Sequence, residues 1–158
     1  MTQPLIRLVI VDDHPHFRDA LRRWLAASTD LIIKVLDEEG SDGTEAVRLA
    51  RQLKPDVLLL NLHMPTMSGL EALRELSEEL WANALPVKVI LLTADIEKSE
   101  IVEAVQLGAR GVVFKEAVIQ VLLKAIQTVM AGEYWLGREP MRNAVRLFLL
   151  TAGFQPYI

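Results

Sequence analysis

Residues 55–65 read Pro-Asp-Val-Leu-Leu-Leu-Asn-Leu-His-Met-Pro, and the fold turns on this stretch. Four apolar residues at 57–60, with Pro55 before them and Pro65 after, have the length and flanks of a strand buried on both faces. Asn61 then sits near the strand's C-terminal end, where the ligand crevice of an open α/β sheet lies. Taken alone, Asn61 is equally compatible with a buried amide bonded to backbone.

The flanking sequence repeats the pattern. Residues 5–11 are an apolar run broken only by Arg7, ending in Asp12-Asp13-His14-Pro15, a buried strand followed by an acidic turn. Phe17, Ala20, Leu21, Trp24 and Leu25 mark one face of a first helix. Residues 31–36 read as a second strand and 37–43 as a solvated acidic loop. Asp42 and Glu45 form a capping-box pattern before a helix holding Ala46, Val47, Ala50 and Leu53, stopped at Lys54-Pro55. Ser68 and Glu71 repeat that pattern ahead of Leu70, Leu73, Leu76 and Leu80.

Residues 87–92 form a fourth strand ending in Thr93-Ala94-Asp95, followed by a helical stripe of Ile101, Val102 and Val105 that Gly108 closes. Residues 111–114 form a fifth strand ending in Lys115-Glu116. Ile119, Leu122, Ile126 and Val129 mark a fifth helix, terminated by Gly132. Strict strand–helix alternation predicts a five-stranded parallel sheet with right-handed crossovers and helices on both faces.

Composition narrows the function classes. The 158 residues, 51% hydrophobic and 24% charged, suit one globular domain. A net charge of -4 argues against the chain gripping nucleic acid by itself, because phosphate neutralisation dominates that affinity. Absence of cysteine excludes disulfides and thiolate metal sites. No apolar stretch reaches the roughly 18 residues of a membrane span, and the N-terminus lacks signal-peptide character, so a cytoplasmic protein with no membrane partner is expected.

A parallel sheet puts all its C-terminal strand ends along one edge, so Asp12, Asp13, Asn61, Thr93 and Lys115 are expected to converge. Two carboxylates beside another oxygen ligand suit a hard cation such as Mg²⁺. A hydroxyl and an ammonium opposite would bind the remaining oxygens of a phosphoryl group. Each residue has a plainer reading: an Asp-Asp pair is a common turn or cap, and a strand-end Thr or Lys is ordinary surface. The joint pattern carries the argument.

Residues 5 to about 136 resemble the receiver domain of two-component response regulators, on the strength of Asp12-Asp13, Leu-Asn-Leu-His-Met-Pro at 60–65, Gly69, Thr93-Ala94 and Lys115. Val-Asp-Asp-His-Pro at 11–15 and Gly-Glu-Tyr-Trp at 132–135 are similar to the NarL/FixJ subgroup, whose regulators end in a LuxR-type helix-turn-helix. The resemblance implies a flavodoxin-like (CheY-like) doubly wound α/β fold of strand order 2-1-3-4-5, with a receiver domain over 1–136. Residues 137–158 would then be a C-terminal helical tail or linker leading to an output domain. It implies Mg²⁺ held by Asp12, Asp13, position 61 and the His63 backbone carbonyl, Lys115 on the phosphoryl group, and Thr93 as the moving switch residue. It also implies a sensor histidine kinase as partner, homodimerisation, and DNA contact only through the output domain.

The position that should carry the phosphoacceptor carboxylate is Asn61. An amide yields no acyl phosphate, so phosphorylation is expected to be abolished and Mg²⁺ binding weakened. A natural degenerate receiver, an engineered Asp-to-Asn substitution and an unorthodox mechanism all account for it. The family's aromatic switch residue is replaced by Val112. His14 is assigned to the turn. His63 and Asp95, with Ala94, are placed at the crevice rim.

Met141, Val145, Phe148, Leu149 and Ala152 form a helical stripe in the tail, opposite Arg138, Arg142 and Arg146. Packing on the receiver and dimerisation are both open for that stripe, as are a truncated regulator and a stand-alone receiver for the chain. Two other functions compete with a switchable signalling receiver. A phosphate-independent pseudo-receiver adaptor would bind partners through the surface of helix four, strand five and helix five, the one a signalling receiver would use. An enzyme, such as a Mg²⁺-dependent phosphatase or a flavin carrier, is disfavoured by the missing acidic nucleophile and the missing Gly-rich loop after strand one.

Overall fold

A computed structural model describes residues 5–137, together with 143, 145–147, 150, 151 and 153. The chain alternates β1 (Ile6–Val11), α1 (Pro15–Ala26), β2 (Ile33–Val35), α2 (Gly43–Leu53), β3 (Val57–Asn61), α3 (Gly69–Trp81), β4 (Lys88–Thr93), α4 (Lys98–Leu107), β5 (Gly111–Phe114), a 3₁₀ turn (Lys115–Ala117), α5 (Val118–Met130) and β6 (Trp135–Leu136). Every strand pair is parallel, in the order β2-β1-β3-β4-β5-β6. The predicted order 2-1-3-4-5 is therefore present, and the sheet has six strands rather than five. The sixth was invisible in the sequence because a two-residue strand has no periodicity to read; it forms because Trp135 and Leu136 pair with Gly111 and Val112.

β3 lies between β1 and β4 and is buried along its whole length, as its apolar run requires. Alternation along the strands divides the core in two. Val9, Val11, Leu58, Leu60, Val89, Leu91 and Val112 face α2, α3 and α4. Leu8, Ile10, Leu59, Ile90, Leu92 and Val113 face α1 and α5. Each fully buried leucine contributes about 2 kcal/mol of transfer free energy.

The caps follow the sequence in part. Asp42 accepts from the Glu45 backbone N–H at 2.9 Å and Ser68 from that of Glu71 at 3.2 Å. Gly108, at φ 116°, ends α4 in the left-handed region as predicted. A further capping box, in which the Glu97 N–H donates to Glu100 Oε1 at 3.0 Å, was missed because Glu is an unusual N-cap residue.

Three readings are corrected. Strand two spans only 33–35. Ala20 and Ile119 face solvent, Ile119 being 54% exposed, because α1 and α5 bury narrower stripes centred on Leu21, Leu25, Leu122 and Ile126. The acidic loop before α2 is not simply solvated. Gly40 is buried and bridges Val11, and Glu39 is held by two arginines of α1. Of the tail stripe, Met141, Phe148, Leu149 and Ala152, with Arg138 and Arg142, lie outside the described residues, while Val145 is fully buried. Among the described residues no helix is long and apolar enough to cross a membrane.

Candidate functional site

The sheet brings Asp12, Asp13, Asn61, Thr93 and Lys115 to one edge. β1 ends at Val11, whose register partner on β3 is Leu60, so the acidic pair and Asn61 leave adjacent strands side by side. Thr93 is the last residue of β4, and Lys115 follows β5 directly. Asp12, Asn61 and Thr93 are the polar residues buried within the described chain.

Asn61 holds the centre. Its Nδ2 donates to Asp13 Oδ1 at 3.0 Å and to the His63 backbone carbonyl at 2.9 Å. Both partners are acceptors only, which fixes the nitrogen, rather than the amide oxygen, toward them. Two glycines close the surrounding loops. A Cβ on Gly69, the first residue of α3, would lie 2.5 Å from the Asn61 carbonyl oxygen, and one on Gly43 would lie 2.6 Å from that of Met67. The Gly69 N–H instead donates to Leu62 O and the Gly43 N–H to Met67 O, each at 2.8 Å.

Asp12 is enclosed. Lys115 Nζ stands 2.6 Å from its Oδ2, an ion pair that compensates the charge of the buried oxygen. Lys115 also lies 4.4 Å above the centroid of the Phe17 ring. The His14 N–H donates to Asp12 Oδ1 at 2.8 Å, and His14 Nδ1 lies 3.1 Å from Oδ1 of both Asp12 and Asp13. His14 thus does more than form the turn. As the N-cap of α1 it turns its ring onto the acidic pair, and the ligand atoms of the three residues lie within 4.8 Å of one another.

On the far rim, the Thr93 hydroxyl donates to the Asp95 carbonyl at 2.6 Å and accepts from the Asp95 N–H at 3.2 Å. His63 Nε2 reaches the same carbonyl at 3.3 Å. Thr93 is therefore engaged with its own loop and not with Asn61. Ala94 and Asp95 are exposed at the rim. Val112 is fully buried in the core beneath α4.

Sequence reasoning missed a brace behind the site. Arg18 Nε donates to Glu39 Oε2 at 2.7 Å while its NH1 group bonds the Asp12 carbonyl. Arg22 adds a bond of 2.9 Å to Glu39 Oε1 and one of 2.8 Å to the Leu36 carbonyl. Burial alone would push the Glu39 carboxyl up, but the bonds and charges of Arg18 and Arg22 outweigh it and hold the group below the ordinary carboxylate value. Arg18 and Arg22 are four apart on α1, a spacing that could have flagged them as a pair, though nothing local points to Glu39.

The response regulator receiver domain family matches residues 8–127. The chain belongs to this family. The receiver is similar to the nitrate/nitrite response regulator NarL of Escherichia coli K12, 32% identical over 126 residues that make up 80% of this chain and 55% of that protein. Its fold matches a LuxR-family two-component response regulator from Aurantimonas with TM-score 0.77 and 26% identity, covering 93% of this chain and 99% of the other. The signal receiver domain of a Mycobacterium tuberculosis NarL matches with TM-score 0.70 and 32% identity, over 81% and 98% of the two chains. The chain spans 55–58% of the length of the first curated relatives it matches. It is a receiver of NarL/LuxR type with the CheY-like fold.

Receiver domains bind Mg²⁺ through this acidic pair, and the donors here fit a hard cation in charge and in kind: Asp12, Asp13 and the His63 carbonyl are all oxygen ligands. The amide of Asn61 is the exception, because its donor end faces two of those oxygens.

Proposed function

We propose that this receiver acts in two-component signalling from the unphosphorylated side, with Asn61 at the phosphoacceptor position. The observation that carries the reading is the pair of bonds from Asn61 Nδ2 to Asp13 and to the His63 carbonyl, which places an amide at the focus of the acidic pocket. A carboxylate there could attack phosphorus; an amide cannot, so the phosphoryl group of a sensor kinase finds no acceptor. Asp12 and Asp13 would hold Mg²⁺ with the His63 carbonyl, and Asn61 joins the ligand set only by turning its oxygen inward and giving up both bonds. The cation, when bound, would neutralise charge on a phosphoryl group. In an Asn61→Asp chain Lys115 would contact that group, and Thr93 would leave the Asp95 carbonyl to reach it. Val112 keeps the buried side of that switch aliphatic.

In this reading residues 1–136 are the receiver and 137–158 lead toward a DNA-binding output domain, in a cytoplasmic regulator served by a histidine kinase and able to form homodimers. Intact-mass measurement after incubation with acetyl phosphate and Mg²⁺ tests it. The expected result is no phosphoryl adduct on the chain and one adduct on Asn61→Asp; an adduct on the unaltered chain overturns the reading.

A second reading, a phosphate-independent adaptor, is favoured by Val112 at the switch position and by the self-satisfied Asn61 amide. It predicts that Asn61→Asp also fails to label.

A further inference from the structure

Directly after α5 the chain returns to the sheet. At φ 86° Gly132 turns the chain, and the Trp135 N–H then donates to the Arg110 carbonyl at 3.0 Å, setting β6 against the outer edge of β5. Arg110 fastens this return twice more: its NH1 group donates to the Gly132 carbonyl at 3.3 Å, and its guanidinium carbon lies 5.2 Å from the Tyr134 ring centroid. Beyond β6, Gly137 adopts φ 79°, and a Cβ there would lie 3.3 Å from the Phe114 ring, so the turn passes directly over the end of β5.

Residues 143, 145–147, 150 and 151 have helical backbone, with the Thr151 hydroxyl bonded to the Leu147 carbonyl at 2.8 Å. Val145 is fully buried and belongs to the same core as Val112, Tyr134, Leu136 and the α4 residues Val102 and Val105. Leu147 is 67% exposed, so this segment has a buried side and a solvent side.

We propose that Tyr134 to Gly137, together with the helical residues around Val145, are an intramolecular cap on the β5 edge, seated on the strand that carries Val112. With β6 in place, the outer edge of β5 is already hydrogen-bonded there and cannot accept a strand from another chain. Val112 pairs in register with Leu136 and shares a core with Val145, so a change of packing at position 112 alters the seat of the cap. A second copy or an output domain that uses the β5 edge must first displace the cap. The inference concerns packing behind the pocket and stands whether or not Asn61 is a phosphoacceptor position.

Hydrogen exchange read by mass spectrometry on the whole chain tests it. In the unaltered chain the peptide spanning 134–136 is protected. Val145→Asp, and to a smaller degree Val112→Ala, raise its exchange about tenfold or more while β1 and β3 stay protected. Leu147→Asp, on the solvent side, leaves it unchanged. The proposal is overturned if 134–136 is unprotected at the outset, if either Val145→Asp or Val112→Ala leaves it as it was, or if Leu147→Asp loosens it equally. Should Val145→Asp also release β1, Val145→Ala is read in its place with the same outcomes.

Discussion

Asn61 donates one amide hydrogen to Asp13 and the other to the backbone carbonyl two residues on, so a neutral side chain ties together oxygens that would otherwise face one another. A carboxylate at this position cannot do so. Asn61→Asp removes two donors and sets a third negative charge beside Asp12 and Asp13. Without divalent cation the variant is expected to lose about 1–3 kcal/mol of stability. With Mg²⁺ it should recover, because a ligand that binds only the folded state stabilises by mass action. Thermal unfolding with and without MgCl₂ measures both arms, and calorimetric titration should show Mg²⁺ binding at least tenfold tighter in the variant, about 1.4 kcal/mol. Equal affinity in the two chains would mean that the amide does not obstruct the pocket.

Much of this site was legible because a parallel sheet sorts its strand ends: once 57–60 is a buried strand and the alternation holds, Asp12, Asn61, Thr93 and Lys115 must share an edge. What escaped was set by contacts without local pattern. Glu39 meets Arg18 and Arg22 from 21 and 17 residues away. The ring of His14 falls on the acidic pair because of where α1 begins, and a helix start is known from sequence only to within a few residues. β6 is too short to carry any periodicity, and the direction of the Asn61 amide is a property of its neighbours rather than of the residue.

Gly69 tests how closely the loop after β3 must pack. Its missing side chain lets α3 begin against the Asn61 carbonyl, where a Cβ would sit 2.5 Å from a backbone oxygen that cannot swing aside. Gly69→Ala should cost about 1–3 kcal/mol, the range for forced overpacking. The shift should show in urea unfolding, and amide chemical shifts should move at 61–63 before they move in α1. An alanine tolerated within about 0.5 kcal/mol would show that the loop relaxes freely.

The Glu39 brace gives a pH signature. Its carboxyl is held below the ordinary 4.5, so the native state gives up this proton more readily than the unfolded chain. The stabilisation is fully present above about pH 4.5 and drains away as pH falls through the lowered native value. Glu39→Gln should therefore be less stable than the parent by about 1 kcal/mol at pH 7, a modest figure because the pair is partly exposed. The gap should narrow steadily as pH falls below 4.5. Urea unfolding across an acid pH series decides it, and a gap that does not change with pH would place the role of Glu39 in packing rather than charge.

The last prediction concerns Lys115, whose ammonium lies 2.6 Å from the buried Asp12. Lys115→Met keeps most of the apolar stem but leaves a carboxylate with no exposed surface and without the ammonium that pairs with it. Removing one partner of a buried pair costs about 3–5 kcal/mol. The lower end applies here, since Lys115 keeps some solvent contact and Asp12 retains the His14 N–H. Neutralising the carboxylate as well should return part of the loss, so Asp12→Asn combined with Lys115→Met should be more stable than Lys115→Met alone, a coupling that a double-mutant cycle reads directly. Added Mg²⁺ should likewise restore stability to the single variant, because it supplies positive charge at the same carboxylate, and should do little for the double variant. Additive effects of the two substitutions would show that Lys115 serves the fold through its stem and that its charge is free to serve a ligand.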